Sequence, residues 1–162
     1  NLIQLYSFSK SFCIPGHRLG AITANTKIIY EISKVMDNIQ ICAPRPGQHA
    51  VASFLPNLDE FIDKKCFEIG KKAELFSSSL PKSSGWKISS IGTFFAYVKH
   101  PFKDIKCDKL AKILASKCGL ITIPGICFGK HQERYLRMSI AGISNEQIID
   151  VKNRLNLLKN LF

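Results

Sequence analysis

The chain has 162 residues, 46% of them hydrophobic, enough to bury a core and too apolar for an intrinsically disordered segment. Its net charge of +11 raises the possibility of a polyanion partner, but 18 of the 23 basic residues are lysines spread along the chain rather than a run interleaved with aromatics, so neither nucleic acid nor a membrane surface is expected. The six cysteines form no Cys-x-x-Cys pair and share no zinc-ligand spacing with histidine, so free thiols and no metal are expected, and with no apolar run long enough for a bilayer the expected compartment is the cytoplasm.

The opening Asn1-Leu2-Ile3-Gln4-Leu5-Tyr6 lacks a methionine and reads as a buried strand near residues 3–6, as if the chain begins inside a fold. A polar loop follows, then a second strand near 19–23. A helix is expected over 26–37, with Asn25 as its N-cap and with Ile28, Ile32, Val35 and Ile39 as one apolar face against a sheet. Pro44-Arg45-Pro46-Gly47 reads as a break, and a short helix over 48–54 ends before Pro56-Asn57. Leu58, Ile62, Cys66, Ile69, Ala73, Phe76 and Leu80 then recur at intervals of three and four, the pattern of a long helix able to connect two domains. Beyond Pro81, strands near 86–90, 93–98, 120–123 and 135–141 alternate with helices over 108–117 and 145–158, the second opened by Ser144 and Gln147 at capping-box spacing. The four histidines (17, 49, 100 and 131) lack a shared ligand spacing and read as surface or loop residues. The aromatics of Gly92-Thr93-Phe94-Phe95-Ala96-Tyr97-Val98 read as core.

The chemistry concentrates in Ser7-Phe8-Ser9-Lys10-Ser11-Phe12-Cys13-Ile14-Pro15-Gly16-His17-Arg18-Leu19-Gly20, a hydroxyl-rich loop between two strands with one lysine and one arginine. Hydroxyls and an arginine fork suit a phosphate ester, and a lysine beside that phosphate can condense with an aldehyde on the same ligand. The segment resembles the cofactor-attachment signature of the class I/II aminotransferases, which are fold type I pyridoxal-phosphate (PLP) enzymes. Ser7, Phe8, Ser9, Lys10, Ile14, Gly16, Arg18, Leu19 and Gly20 fit the pattern, and Cys13 is a mild departure. A second match lies in Pro124-Gly125-Ile126-Cys127-Phe128-Gly129 followed by Tyr135-Leu136-Arg137-Met138-Ser139-Ile140-Ala141.

The resemblance implies an α/β architecture in which residues 1–46 are the C-terminal remnant of the large PLP-binding domain, 47–80 a connecting helical segment, and 81–162 the small α/β domain. It implies that Lys10 carries PLP as an internal aldimine and shuttles a proton between the substrate α-carbon and the cofactor C4′. Ser7, Ser9 and Arg18 would hold the phosphate. Arg137, rather than its neighbour Arg134, would pair fork-to-fork with the substrate α-carboxylate. Lys130 and His131 lie in a loop that could approach substrate.

In relatives, the part of the large domain that precedes this region supplies an aromatic that stacks on the PLP ring and an aspartate at its pyridine nitrogen. The isolated chain is therefore expected to be inactive, with the small domain as its best-ordered part. For the intact protein the implied reaction is transfer of an amino group from an amino acid to a 2-oxo acid, in a homodimer. The alternatives are another PLP enzyme of the same fold, a β-lyase or a decarboxylase, or an aminotransferase-like domain in a transcription regulator.

Overall fold

In the computed structural model, which describes residues 2–160 and side chains through Leu158, the chain forms two units, Asn1–Lys65 and Cys66–Phe162. In the first, β1 (Gln4–Ser7) and β2 (Gly20–Thr23) pair antiparallel with Ser7 opposite Gly20. The residues between them, expected as a loop, contain a one-turn helix α1 (Phe8–Ser11) and a 3-10 turn at Pro15–His17. Helix α2 (Thr26–Ile39) is capped as expected, with the Asn25 side chain accepting from the Ile28 N–H at 3.0 Å.

Three expectations for this unit need correction. Helix α3 spans Arg45–Phe54, so Pro44–Gly47 is not a break throughout: Pro46 lies in the first turn, where its missing N–H has no intrahelical acceptor to lose. β1 is exposed along its whole length rather than buried, with Leu5 74% exposed. The apolar face of α2 is also uncovered at its C-terminal end, where Val35 is 55% and Ile39 75% exposed. A two-stranded ribbon with three helices has no second layer to cover both surfaces. Phe12 and Leu19, both beside the signature loop, are the buried large apolar residues described in this unit.

The second unit takes over the last part of α4 (Asp59–Ser79), whose first turn carries Asp59 and Glu60 where the helix dipole favours negative charge. Its sheet runs β3 (Lys87–Gly92), β4 (Phe95–Lys99), β6 (Tyr135–Ser139), β5 (Ile123–Pro124), with all neighbours antiparallel. Helices α5 (Cys107–Cys118) and α6 (Asn145–Asn156) complete it, and Ser144 and Gln147 form the expected capping box.

Along β6 the side chains alternate, Leu136 and Met138 buried and Tyr135, Arg137 and Ser139 more open, as a strand with one covered face requires. The covered face meets Leu110, Leu114, Ile148, Val151 and Leu155 from the two helices and Phe76 and Leu80 at the end of α4. Fully burying side chains of this size contributes about 1.5–3 kcal/mol each before entropy is counted. β5 is shorter than the four-residue strand expected there: it pairs with β6 at Ile123 and Pro124, and Ile121 before it is 90% exposed. His100 departs furthest from expectation: it is fully buried, and burial lowers its pKa.

Candidate active-site residues

The hairpin β1–β2 brings Ser7, Ser9, Lys10 and Arg18 together at one end of the ribbon. Ser7 ends β1 and caps α1 through its backbone, without a side-chain hydrogen bond. One turn on, Ser9 is buried while Lys10 is exposed. The Phe8 N–H donates to the Leu19 carbonyl at 3.3 Å, tying both ends of the loop, and the rings of Phe8 and Phe12 stack with centroids 5.6 Å apart. Gly20 is needed for close approach, since a Cβ there would stand 3.1 Å from the Tyr6 carbonyl oxygen. Gly47, in the first turn of α3, is similarly confined: a Cβ would lie 3.3 Å from both the His17 ring and a Leu19 methyl.

Two loop residues take left-handed backbone conformations, Cys13 at φ 57° and Arg18 at φ 53°. Such φ values are unfavourable for side chains with a Cβ and recur where surrounding structure overdetermines a functional loop. The conformation at position 13 gives a physical reason for a small residue there. One Arg18 Nη donates to the Pro15 carbonyl at 2.7 Å, which fixes the guanidinium and leaves its other N–H groups free for an anion. The free Ser7 hydroxyl, Ser9 and the tethered Arg18 fork fit the phosphate of a cofactor such as PLP, with Lys10 on the same loop.

Arg137 lies in the second unit, on the open face of β6, opposite Tyr97 of β4. Its guanidinium carbon sits 4.2 Å from the centroid of the Phe95 ring and 4.8 Å from that of Phe128. Arg18, Arg45, Arg134 and Arg154 all donate hydrogen bonds to other groups of the chain. Among the described residues Arg137 has its two rings and no carboxylate within 4 Å. Arg134, the competitor in sequence, is structural: its Nη2 donates to the His100 carbonyl at 2.8 Å and to the Pro101 carbonyl at 3.1 Å.

Phe95 and Phe128 are the residues that sequence reasoning missed. Phe95, expected in the core, is 36% exposed. The alternation of β4 carried the signal, because Ala96 and Val98 are the buried positions and place Phe95, Tyr97 and Lys99 on the open face. Phe128 ends a 3-10 turn over Gly125–Phe128. Beneath this turn the Tyr97 and Tyr135 rings stack at 5.2 Å, and the Tyr97 hydroxyl donates to Gln132 Oε1 at 2.8 Å. Burial, with smaller contributions from Cys107 and Tyr135, raises the Tyr97 pKa and keeps that hydroxyl a donor. Lys130 and His131 stand exposed in the following turn, His131 at φ 62°.

The chain is 28% identical over 160 residues to an aspartate aminotransferase of Pyrococcus horikoshii, covering 96% of this chain and 40% of that protein. It is 28% identical over 138 residues to an LL-diaminopimelate aminotransferase of Natranaerobius thermophilus, covering 85% of this chain and 36% of that one. Among solved structures, a Methanococcus jannaschii protein described as similar in its active site to kynurenine aminotransferases matches with a TM-score of 0.79 at 27% identity, over 98% of this chain and 42% of its own. An aromatic aminotransferase of Pyrococcus horikoshii matches the fold more closely, with a TM-score of 0.88 at 24% identity, over 98% of this chain and 43% of its own. The chain thus spans about two fifths of the length of these relatives. The family model for aminotransferase class I and II matches residues 1–155, nearly the whole of the 162, and the chain belongs to that family.

Proposed function

We propose that this chain is the C-terminal part of a PLP-dependent aminotransferase that moves an amino group from an amino acid to a 2-oxo acid. The observation that carries the reading is Arg137: a planar cation beside the Phe95 and Phe128 rings, with no carboxylate within 4 Å among the described residues. Such a fork is made ready for a carboxylate, because two parallel charged hydrogen bonds fix both the position and the orientation of the anion. Both substrates of a transamination carry an α-carboxylate, so one arginine serves both half-reactions.

Ser7, Ser9 and Arg18 hold the cofactor phosphate in this reading, with Arg18 anchored by its bond to Pro15. Lys10 would hold the cofactor when substrate is absent, and its amine would then carry the proton between the substrate α-carbon and the cofactor C4′. When bound, PLP supplies the electron sink that makes this proton removable. The isolated 162-residue chain is inactive in this reading, since it spans only about two fifths of the relatives' length. A cytoplasmic homodimer is the matching expectation for the whole protein, on the family resemblance alone.

The test is made on the full-length protein. Borohydride reduction followed by peptide mass spectrometry should place the cofactor on Lys10, and Lys10→Ala should abolish both the label and turnover. Product analysis should show an amino acid formed only when a 2-oxo acid is added. Ammonia or carbon dioxide released without an oxo acid would favour a β-lyase or a decarboxylase instead, and a label on any other lysine would overturn the assignment.

A further inference from the structure

A second group of cations lies away from Arg137, at the opposite end of β4. Lys87 opens β3 and Lys99 closes β4, and the two are direct cross-strand partners. Like charges placed directly opposite each other on an antiparallel pair repel. Arg134 precedes β6 at the same end of the sheet, where the His100 N–H donates to the Arg134 carbonyl at 3.0 Å. Lys87, Lys99 and Arg134 together with Gly85, His100 and Pro101 line one cavity of about 270 Å³. Among the described residues, none of the three cations has a carboxylate within 4 Å. Lys99 leans at 5.7 Å over the Tyr135 ring, a contact that leaves its charge uncompensated.

The walls of this cavity are fixed. The two bonds from Arg134 Nη2 to the His100 and Pro101 carbonyls set the plane of the guanidinium, and its Nε is buried without any acceptor. Among the described residues Nη1 of Arg134 makes no hydrogen bond and is not buried, and an anion beside it would also relieve the Lys87–Lys99 repulsion. Gly85 stands at φ 83°, where a Cβ would come within 3.0 Å of the Pro101 Cβ, so the wall on that side closes tightly on the proline. His100 also lines the cavity and is fully buried, and that burial lowers its pKa.

We infer that the cavity between Lys87, Lys99 and Arg134 binds a small phosphate-type dianion, either inorganic phosphate or the phosphoryl end of a monoester. Two ammonium groups and a guanidinium lining one cavity match the charge of a phosphate better than that of a single carboxylate. The site is independent of the cofactor reading: it lies wholly in the second unit and uses none of Ser7, Ser9, Lys10 or Arg18.

Inorganic phosphate, glycerol 3-phosphate and acetate are titrated separately into the full chain and into two variants, Lys87→Glu/Lys99→Glu and Arg18→Gln, by calorimetry. Lys87 is exposed and Lys99 half-buried at one end of the β3–β4 pair, and circular dichroism checks that the double variant folds. Phosphate or glycerol 3-phosphate should bind saturably, weaken by about tenfold or more in the double lysine variant, and keep its affinity in Arg18→Gln. The tighter of the two phosphates identifies the source. Unchanged affinity in the double lysine variant, loss confined to Arg18→Gln, acetate binding as tightly as phosphate, or no saturable binding at all would each overturn the inference.

Discussion

Gly125→Ala is expected to destabilise the second unit by overpacking, for a reason that lies in distances rather than in backbone strain. Gly125 is buried at the start of the turn that carries Phe128. A Cβ there would stand 2.5 Å from the Gln132 carbonyl oxygen, 2.8 Å from the Tyr135 carbonyl oxygen and 2.8 Å from the Tyr97 hydroxyl. None of these is the free end of a flexible side chain: the Gln132 oxygen accepts from the Tyr135 N–H at 3.1 Å, Tyr135 opens β6, and the Tyr97 hydroxyl is bonded to Gln132. One methyl group therefore has to move a turn and a strand end. Overpacking of this kind costs about 1–3 kcal/mol, which for a unit of this size lowers Tm by about 5 °C or more. The matched control is Gly70→Ala, in the exposed middle of α4, where a Cβ meets nothing within 4 Å. That substitution should stabilise by about 0.5–1 kcal/mol, because alanine loses less backbone freedom in a helix. Thermal and urea unfolding of both variants would measure the pair. A Gly125→Ala protein as stable as its parent would refute the close packing under the turn.

Two further outcomes follow from the same unit. Phe128→Ala and Phe95→Ala each remove one ring from Arg137, a cation–π contact worth about 0.5–2 kcal/mol, so the proposed function predicts that in the full-length protein KM for an amino-acid substrate rises by about 2- to 30-fold with a smaller change in kcat; an unchanged KM in both would remove the rings from the proposed carboxylate site. Because burial lowers the His100 pKa below its ordinary 6.5, the unfolded chain takes up a proton that the folded one refuses. This penalty is absent above about pH 6.5 and grows as pH falls below it toward the lowered folded value, so urea unfolding should show stability declining over that window. His100→Gln should flatten that slope, and an identical slope in the variant would show that His100 is not its source.

The elements legible in the sequence were those whose signals are local. Asn25 and Ser144 cap their helices because a side-chain oxygen three residues before a free N–H needs no other part of the fold. The α4 periodicity and the strands of the second unit were readable for the same reason. What could not be read depends on the neighbours a segment meets. β1 and the α2 face carry the apolar residues of buried elements, yet in this unit they are exposed, because periodicity tells which side wants cover and not whether cover is present. His100 looked like a loop residue because nothing local distinguishes it. Phe102 stacks on its imidazole and meets Trp86 edge to face, and its remaining partners, the carbonyls of Glu133 and Arg134, lie more than thirty residues away in sequence.

The two halves of the candidate machinery solve the same problem by different physics. On the hairpin, the residues proposed for chemistry are spaced by apolar ones: Phe8 stacks on Phe12, Phe12 and Leu19 are buried, and two left-handed residues lie in the loop that carries Ser9, Lys10 and Arg18 between the paired ends of the ribbon. This apolar group is small, so the shape of this loop depends on backbone bonds such as Phe8 to Leu19 and Arg18 to Pro15. Arg137 is placed by β6, which rests on a full core, with the Phe95 and Phe128 rings beside its guanidinium. An error of a few tenths of an ångström in the hairpin is then absorbed by a flexible lysine stem. The same error at Arg137 would cost the parallel alignment of two hydrogen bonds, which is why the arginine, and not the lysine, belongs on the rigid sheet.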